Sequence, residues 1–125
     1  MTVEQIFEQI LKNRGISKEN REAFLNPNYD NQHDPFLLPD MEKAVERLLV
    51  AHKKQEKITV YGDYDVDGVS ASTVILTAFE KFGFKNVDYF LPDRFKDGYG
   101  MNERGVKILA ERGTNLILTV DCGSL

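Results

Sequence analysis

In the first part of the chain, apolar residues recur at helical spacing. Val3, Ile6, Phe7, Ile10 and Leu11 share one face of a helix that Thr2 opens. Gln5, three residues on, completes a capping box, and Gly15 ends the helix. Ser17 is placed to cap a second short helix running to about Leu25. Residues 26–40, NPNYDNQHDPFLLPD, hold Pro27, Pro35 and Pro39 among other turn formers. They predict an extended connector, pinned to the core by Phe36, Leu37 and Leu38. Asp40 then caps a helix carrying Met41, Ala44, Val45, Leu48 and Leu49 at helical spacing, to about Lys54.

The pattern changes at KITVYG, where Ile58, Val60 and Tyr61 predict a strand. A helix follows from about Gly68 to Phe82, with Val69, Val74, Ile75, Ala78, Phe79 and Phe82 apolar and Gly83 as the stop. NVDYFLP gives a second strand over 86–91. Asn102 caps a helix ending at Gly113, and NLILTVD, 115–121, is a third strand, apolar enough to be buried in a parallel sheet. The order β-α-β-α-β predicts an α/β fold with a parallel, Rossmann-like sheet over 58–125, preceded by an N-terminal helical segment over 1–57. Three strands make a small sheet, and no helix follows the last one. The expectation is that 58–125 is the first part of a larger domain.

Composition narrows the class. With 42% hydrophobic and 29% charged residues, this is a globular sequence. No apolar run approaches the roughly 20 residues that span a membrane, and no signal peptide is visible. Cys122, the single cysteine, offers no intramolecular disulfide. These features predict a cytoplasmic protein with no membrane partner. A net charge of −4 argues against a simple nucleic-acid coat protein. It leaves room for a metal-dependent nuclease, whose clustered carboxylates lower the formal charge.

Such a cluster is present. In YGDYDVDG, residues 61–68, Asp63, Asp65 and Asp67 alternate before Gly68. A calcium loop of the helix-loop-helix type would need an oxygen ligand at position twelve, which is Val74, and a preceding helix where a strand is predicted. A polar strand-to-helix turn, with Asp67 capping the helix, would explain one aspartate. Three at alternate positions are different. On an extended segment, carboxylates two residues apart project the same way, about 7 Å from one another, and repel unless a cation offsets them. Asp121 ends the third strand at the same carboxyl edge. It would converge on the cluster if the first and third strands are neighbours.

The runs ITVYGDYDVDGVSAS, LPDRFKDGYGMN and LILTVDCGS, in this order, resemble the first three motifs of the DHH phosphoesterase superfamily. The likeness is greatest to its bacterial single-strand-specific exonucleases, and HDPFLLPDMEKAVERL resembles the segment before their first motif. The resemblance covers roughly 26–125. It implies a 5′→3′ exonuclease on single-stranded DNA in recombination and repair, dependent on two Mn²⁺ or Mg²⁺ ions. Asp65, Asp67 and Asp121 would be the catalytic metal ligands, Asp121 bridging the two ions. Asp63 would bind metal or stiffen the loop. Single-strand-binding protein and a helicase would be partners. Where many members of the superfamily carry a metal-binding histidine, this chain has Tyr61, which favours the exonuclease over a small-molecule phosphatase. The Asp-His-His motif is missing, and the only histidines, His33 and His52, lie upstream. The expectation is an incomplete DHH domain, holding half of a metal site and inactive alone. A phosphodiesterase for oligoribonucleotides or cyclic dinucleotides, and a non-catalytic scaffold, stand as alternatives.

PDRFKDGYG, residues 92–100, reads by composition as a surface loop, but it leaves the second strand at the edge bearing the aspartates. There Arg94 can contact a phosphate, Gly98 and Gly100 allow close backbone approach, and Tyr99 can stack on a base or pack the loop down. Cys122 reads as a packed strand-end residue rather than a nucleophile.

Overall fold

The computed structural model describes residues 1–123. Ser124 and Leu125, with which the third motif and the predicted domain end, lie outside the described residues. The chain forms two units, Met1–Met41 and Glu42–Leu125.

In the first unit, α1 (Val3–Asn13) has the expected capping box. Thr2 Oγ1 accepts from the Gln5 backbone N–H at 3.3 Å, and Gln5 Oε1 accepts from the Thr2 N–H at 2.9 Å. Gly15, at φ 69°, closes the helix as Ile16 N–H bonds back to the Leu11 carbonyl. Of the predicted apolar face only Leu11 is buried. The second helix, α2, is Arg21–Leu25, later than expected, because Ser17 Oγ accepts from Asn20 N–H in the turn before it. The connector is not wholly extended: single 3₁₀ turns form at Tyr29–Asn31 and Pro35–Leu37, capped by Asn28 and Asp34. Phe36, Leu37 and Leu38 do not pin it and remain exposed. A 3₁₀ turn sends successive side chains in three directions, so three adjacent apolar residues cannot share one face.

The second unit runs α3 (Met41–Lys54, entered at its first residue), β1 (Ile58–Tyr61), α4 (Val66–Lys81), β2 (Val87–Phe90), α5 (Glu103–Glu111) and β3 (Leu116–Thr119). Asp40 precedes α3 with φ 58°, whereas a side-chain N-cap normally has extended backbone. The sheet is parallel throughout, in the order β2-β1-β3, with Ile58 opposite Val87 and Leu116, and Tyr61 opposite Phe90 and Thr119. Being central, β1 is buried at every residue.

The two-residue period of β1 sorts the core onto two faces. Ile58 and Val60 pack with Ala51 of α3 and Phe79 of α4; Tyr61 packs with Phe90 and with Leu109 of α5. Helices therefore cover both sheet faces, as a parallel sheet requires. β3 is only half-buried, since it pairs with β1 alone among the described residues. On α4 the buried positions are Gly68, Ser72 and Phe79, with Ile75 packed alongside, whereas Val74 and, just past the helix, Phe82 are exposed. The polar and glycine positions of this helix face the sheet because its first turn must lie close to backbone. Within the sheet, Thr59, wholly buried, donates to Asp88 Oδ1 at 2.5 Å, and Lys57 pairs with the same carboxylate at 3.0 Å. This bond joins β1 to β2 one residue along from Ile58 and Val87 and reinforces the register.

Candidate metal centre

β1 runs straight into the aspartate loop. Gly62 N–H still donates to the Phe90 carbonyl, and Asp63 follows with no exposed surface. Two glycines allow the next helix to close down here. A Cβ on Gly68 would lie 2.4–2.6 Å from the Asp63 backbone N, C and O atoms; one on Gly62 would lie 2.2 Å from Ser72 Oγ. The first turn of α4 is thereby seated on the Asp63 backbone. Asp65, not Asp67, is its N-cap: Oδ1 accepts from the N–H groups of Asp67 at 3.0 Å and Gly68 at 3.1 Å. The helix starts two residues earlier than the sequence pattern indicated, and the positive end of its dipole faces the carboxylates.

The strand adjacency that Asp121 needed is present. β3 pairs with β1, and Val120 N–H donates to the Tyr61 carbonyl at 3.0 Å. Asp121 then turns back with φ 57°. Carboxylate oxygens of Asp63, Asp65 and Asp121 lie within 4.8 Å of one another. Asp67, exposed in the first turn of α4, is not in that group. Its charge still reaches it: Asp121 is raised above the usual carboxylate range first by desolvation, then by Asp65, Asp67 and Asp63.

Both carboxylate oxygens of Asp63 are buried without a hydrogen-bond partner among the described residues, as is Ser72 Oγ. A buried carboxylate with no donor, facing two more carboxylates, is unfavourable without a cation. An all-oxygen, anionic donor set suits a hard divalent ion such as Mg²⁺ or Mn²⁺. The residues present therefore fit a metal. Asp65 keeps Oδ2 for one while Oδ1 holds the helix.

The loop after β2 closes over the same edge. Arg94 lies over the Tyr64 ring, 5.2 Å from its centroid, between Asp63 and Asp65 in sequence. The Tyr99 hydroxyl donates to the Asp121 carbonyl at 3.5 Å, and the Tyr61 hydroxyl to the Gly100 carbonyl at 3.2 Å. Gly98 and Gly100 have φ of 72° and 78°, which a residue with a side chain rarely adopts. Burial, then Asp121 and Asp63, raise the Tyr99 hydroxyl above its ordinary value.

Other candidates stand apart. His52 packs its ring on Phe84, 4.3 Å between centroids, and His33 is exposed. The Cys122 thiol is pushed up by burial, then by Asp63 and Asp121, and it faces the Tyr61 carbonyl at 3.5 Å. It is a packed thiol, not a thiolate. Sequence reasoning missed Ser72, Tyr64 and Asp97. Ser72 could have been found as the residue one helical turn after Gly68. Asp97, which accepts from the Asp93 N–H at 2.7 Å and pairs with Arg104, gave no local signal.

Residues 57–125 match the family model described as "DHH family, N-terminal domain". The chain is 43% identical over 115 residues to the single-stranded-DNA-specific exonuclease RecJ of Bacillus subtilis, covering 91% of this chain and 14% of that protein. To the Escherichia coli protein of the same name it is 42% identical over 86 residues, covering 69% of this chain and 15% of the relative. A crystal structure of exonuclease RecJ bound to manganese superposes with a TM-score of 0.62 at 35% identity, covering 70% of this chain and 23% of that one. The chain thus spans a small part of the length of the relatives it matches.

Proposed function

We infer the activity from one premise: the chain belongs to the DHH family. On that premise, residues 58–125 following the helical segment 1–57 are the first part of a DHH phosphoesterase domain. Its reaction is metal-dependent hydrolysis of phosphodiester bonds in single-stranded DNA, from the 5′ end, in recombination and repair. The observation that carries this reading is the buried, unpartnered Asp63 carboxylate, with Asp65 and Asp121 oxygens within 4.8 Å, at the carboxyl edge of a parallel sheet. That is where open α/β sheets bind ligands. The relatives named as single-stranded-DNA-specific exonucleases supply the substrate class.

Asp63, Asp65 and Asp121 would hold the first ion, with Asp67 beside them for a second. Bound Mn²⁺ or Mg²⁺ would supply an activated water and neutralise charge on the phosphoryl oxygens. The chain's own residues orient the strand. Arg94, braced on Tyr64, offers a guanidinium to a phosphate, and no carboxylate pairs with it among the described residues. Gly98 and Gly100 let the loop backbone approach, while Tyr99 holds the loop against Asp121. Single-strand-binding protein and a helicase are the partners this reading implies.

The test is Mn²⁺-dependent release of nucleotides from 5′-labelled single-stranded DNA by the complete gene product, with short RNA and a cyclic dinucleotide alongside. Release from DNA, abolished by Asp65→Asn, Asp67→Asn or Asp121→Asn in a folded protein, is the expected result. Preference for RNA or the cyclic dinucleotide would assign a different phosphodiesterase. No hydrolysis of any of them would leave a scaffold.

A further inference from the structure

Phe95 is 96% exposed, the most exposed large apolar side chain among the described residues. It does not sit on a loose loop. Asp93 Oδ1 accepts from the backbone N–H of Phe95 at 2.9 Å and of Lys96 at 3.2 Å, and the Asp93 carbonyl accepts from Asp97 N–H at 2.8 Å. The Asp97 carboxylate in turn accepts from the Asp93 N–H and is paired with Arg104. Pro92, buried, fixes the entry to the turn. The ring is thus presented on a rigid tip, so little loop entropy would be lost when something covers it.

The surroundings indicate what that is. In sequence Phe95 falls between Arg94 and Lys96. Arg94 reaches Tyr64, which stands between the two loop aspartates of the carboxylate cluster; further along, Tyr99 reaches Asp121. Lys96 pairs with Asp93 at 3.6 Å, which leaves Arg94 as the cation next to the ring in sequence. An exposed aromatic ring on a turn tied through Arg94 and Tyr99 to a metal-holding edge has the chemistry of a platform for a nucleobase whose phosphate meets that guanidinium. A purely apolar partner would gain from the ring but would have to desolvate the flanking charges.

We propose that Phe95 stacks on a base of the single strand next to the phosphate at the metal centre, and so sets the requirement for unpaired bases. This rests on the nuclease reading above. The probe is an oligonucleotide carrying 2-aminopurine near its 5′ end, whose fluorescence falls on stacking, titrated with the complete gene product in EDTA so that nothing is cleaved. Phe95→Ala should weaken binding about 5- to 100-fold and relieve the quenching, with an unchanged melting temperature. Phe95→Trp and Phe95→Tyr should restore both, and Phe95→Leu should not. Binding by Phe95→Ala equal to wild type would overturn the proposal. So would restoration by Phe95→Leu, since a packing contact asks only for apolar volume.

The metal-free readout separates the two readings. Wild-type protein that degrades DNA in Mn²⁺ while Phe95→Ala binds normally sinks the stacking role alone. Protein that quenches through Phe95 yet cleaves nothing sinks the nuclease reading alone. Protein that neither binds nor cleaves single-stranded DNA sinks both.

Discussion

At the scale of the residue, Asp121 ties the metal centre to pH. Its folded-state pKa stands above the ordinary 3.8 because of desolvation and the neighbouring aspartates. Folding without metal therefore takes up a proton. The stability this gives is complete below the unfolded value and is lost as pH rises through the folded value. Asp97 works in the opposite direction. Its pKa is depressed by the Asp93 backbone bond and by Arg104, so its contribution is present above 3.8 and is lost as pH falls through the depressed value. In EDTA, Asp121→Asn should match wild type in acid and melt higher than wild type once the pH is well above the carboxylate range. Melting curves across pH check this; a wild-type advantage at neutral pH would mean that the cluster is not repulsive. Asn also tolerates the left-handed backbone at this position, so the substitution changes charge without adding strain.

At the scale of the element, the start of α4 is both a cap and a ligand holder, and two substitutions separate these roles. Asp65→Asn keeps a good N-cap while removing charge; Asp65→Ala removes both and should cost about 1 kcal/mol more in stability. Both should lose metal-induced stabilisation, which urea melts with and without Mn²⁺ would show. Gly68→Ala drives a methyl into the Asp63 backbone, which cannot yield as a side-chain tip can. It should destabilise by about 2 kcal/mol or more despite the better helix propensity of alanine, and blunt the metal response. Unchanged stability would mean that the helix does not rest on Asp63. These elements also show what was legible beforehand. Period and punctuation located every strand and every helix of the second unit, because strong β-formers mark the strands and glycines stop α4 and α5; α3 shows through its period alone and stops before Gln55, which has φ 55°. The start of α4 was set too late because Asp65, inside the suspected ligand run, is the cap. Of its predicted apolar residues Ile75 and Phe79 reach the core, while the buried Gly68 and Ser72 are selected by close backbone approach, which hydrophobic periodicity does not count. The apolar residues of the connector misled for the converse reason: apolar identity does not ensure burial when a 3₁₀ turn splays neighbours apart.

At the scale of the whole molecule, the candidate centre joins segments far apart in sequence, and a cation should act as a clamp between them. Mn²⁺ at about one hundred times its dissociation constant should stabilise the fold by about 2.7 kcal/mol, and EDTA should reverse this. No shift in melting temperature up to millimolar Mn²⁺ would remove metal binding from this chain. Convergence of Asp63 and Asp121 was foreseeable only as a condition, since sequence does not state which strands are neighbours; the β2-β1-β3 order meets it. That order also fixes a timetable for biosynthesis. The central strand leaves the ribosome before either of its partners, and β2 can cover only one of its edges. The strand that covers the other edge, and with it Asp121, arrives after both. The nascent chain therefore carries an open β1 edge and an aspartate loop unable to chelate until β3 has been translated and docked. A cation present in the cell can lock these three strands together only once β3 has docked, never while β1 and β2 stand alone.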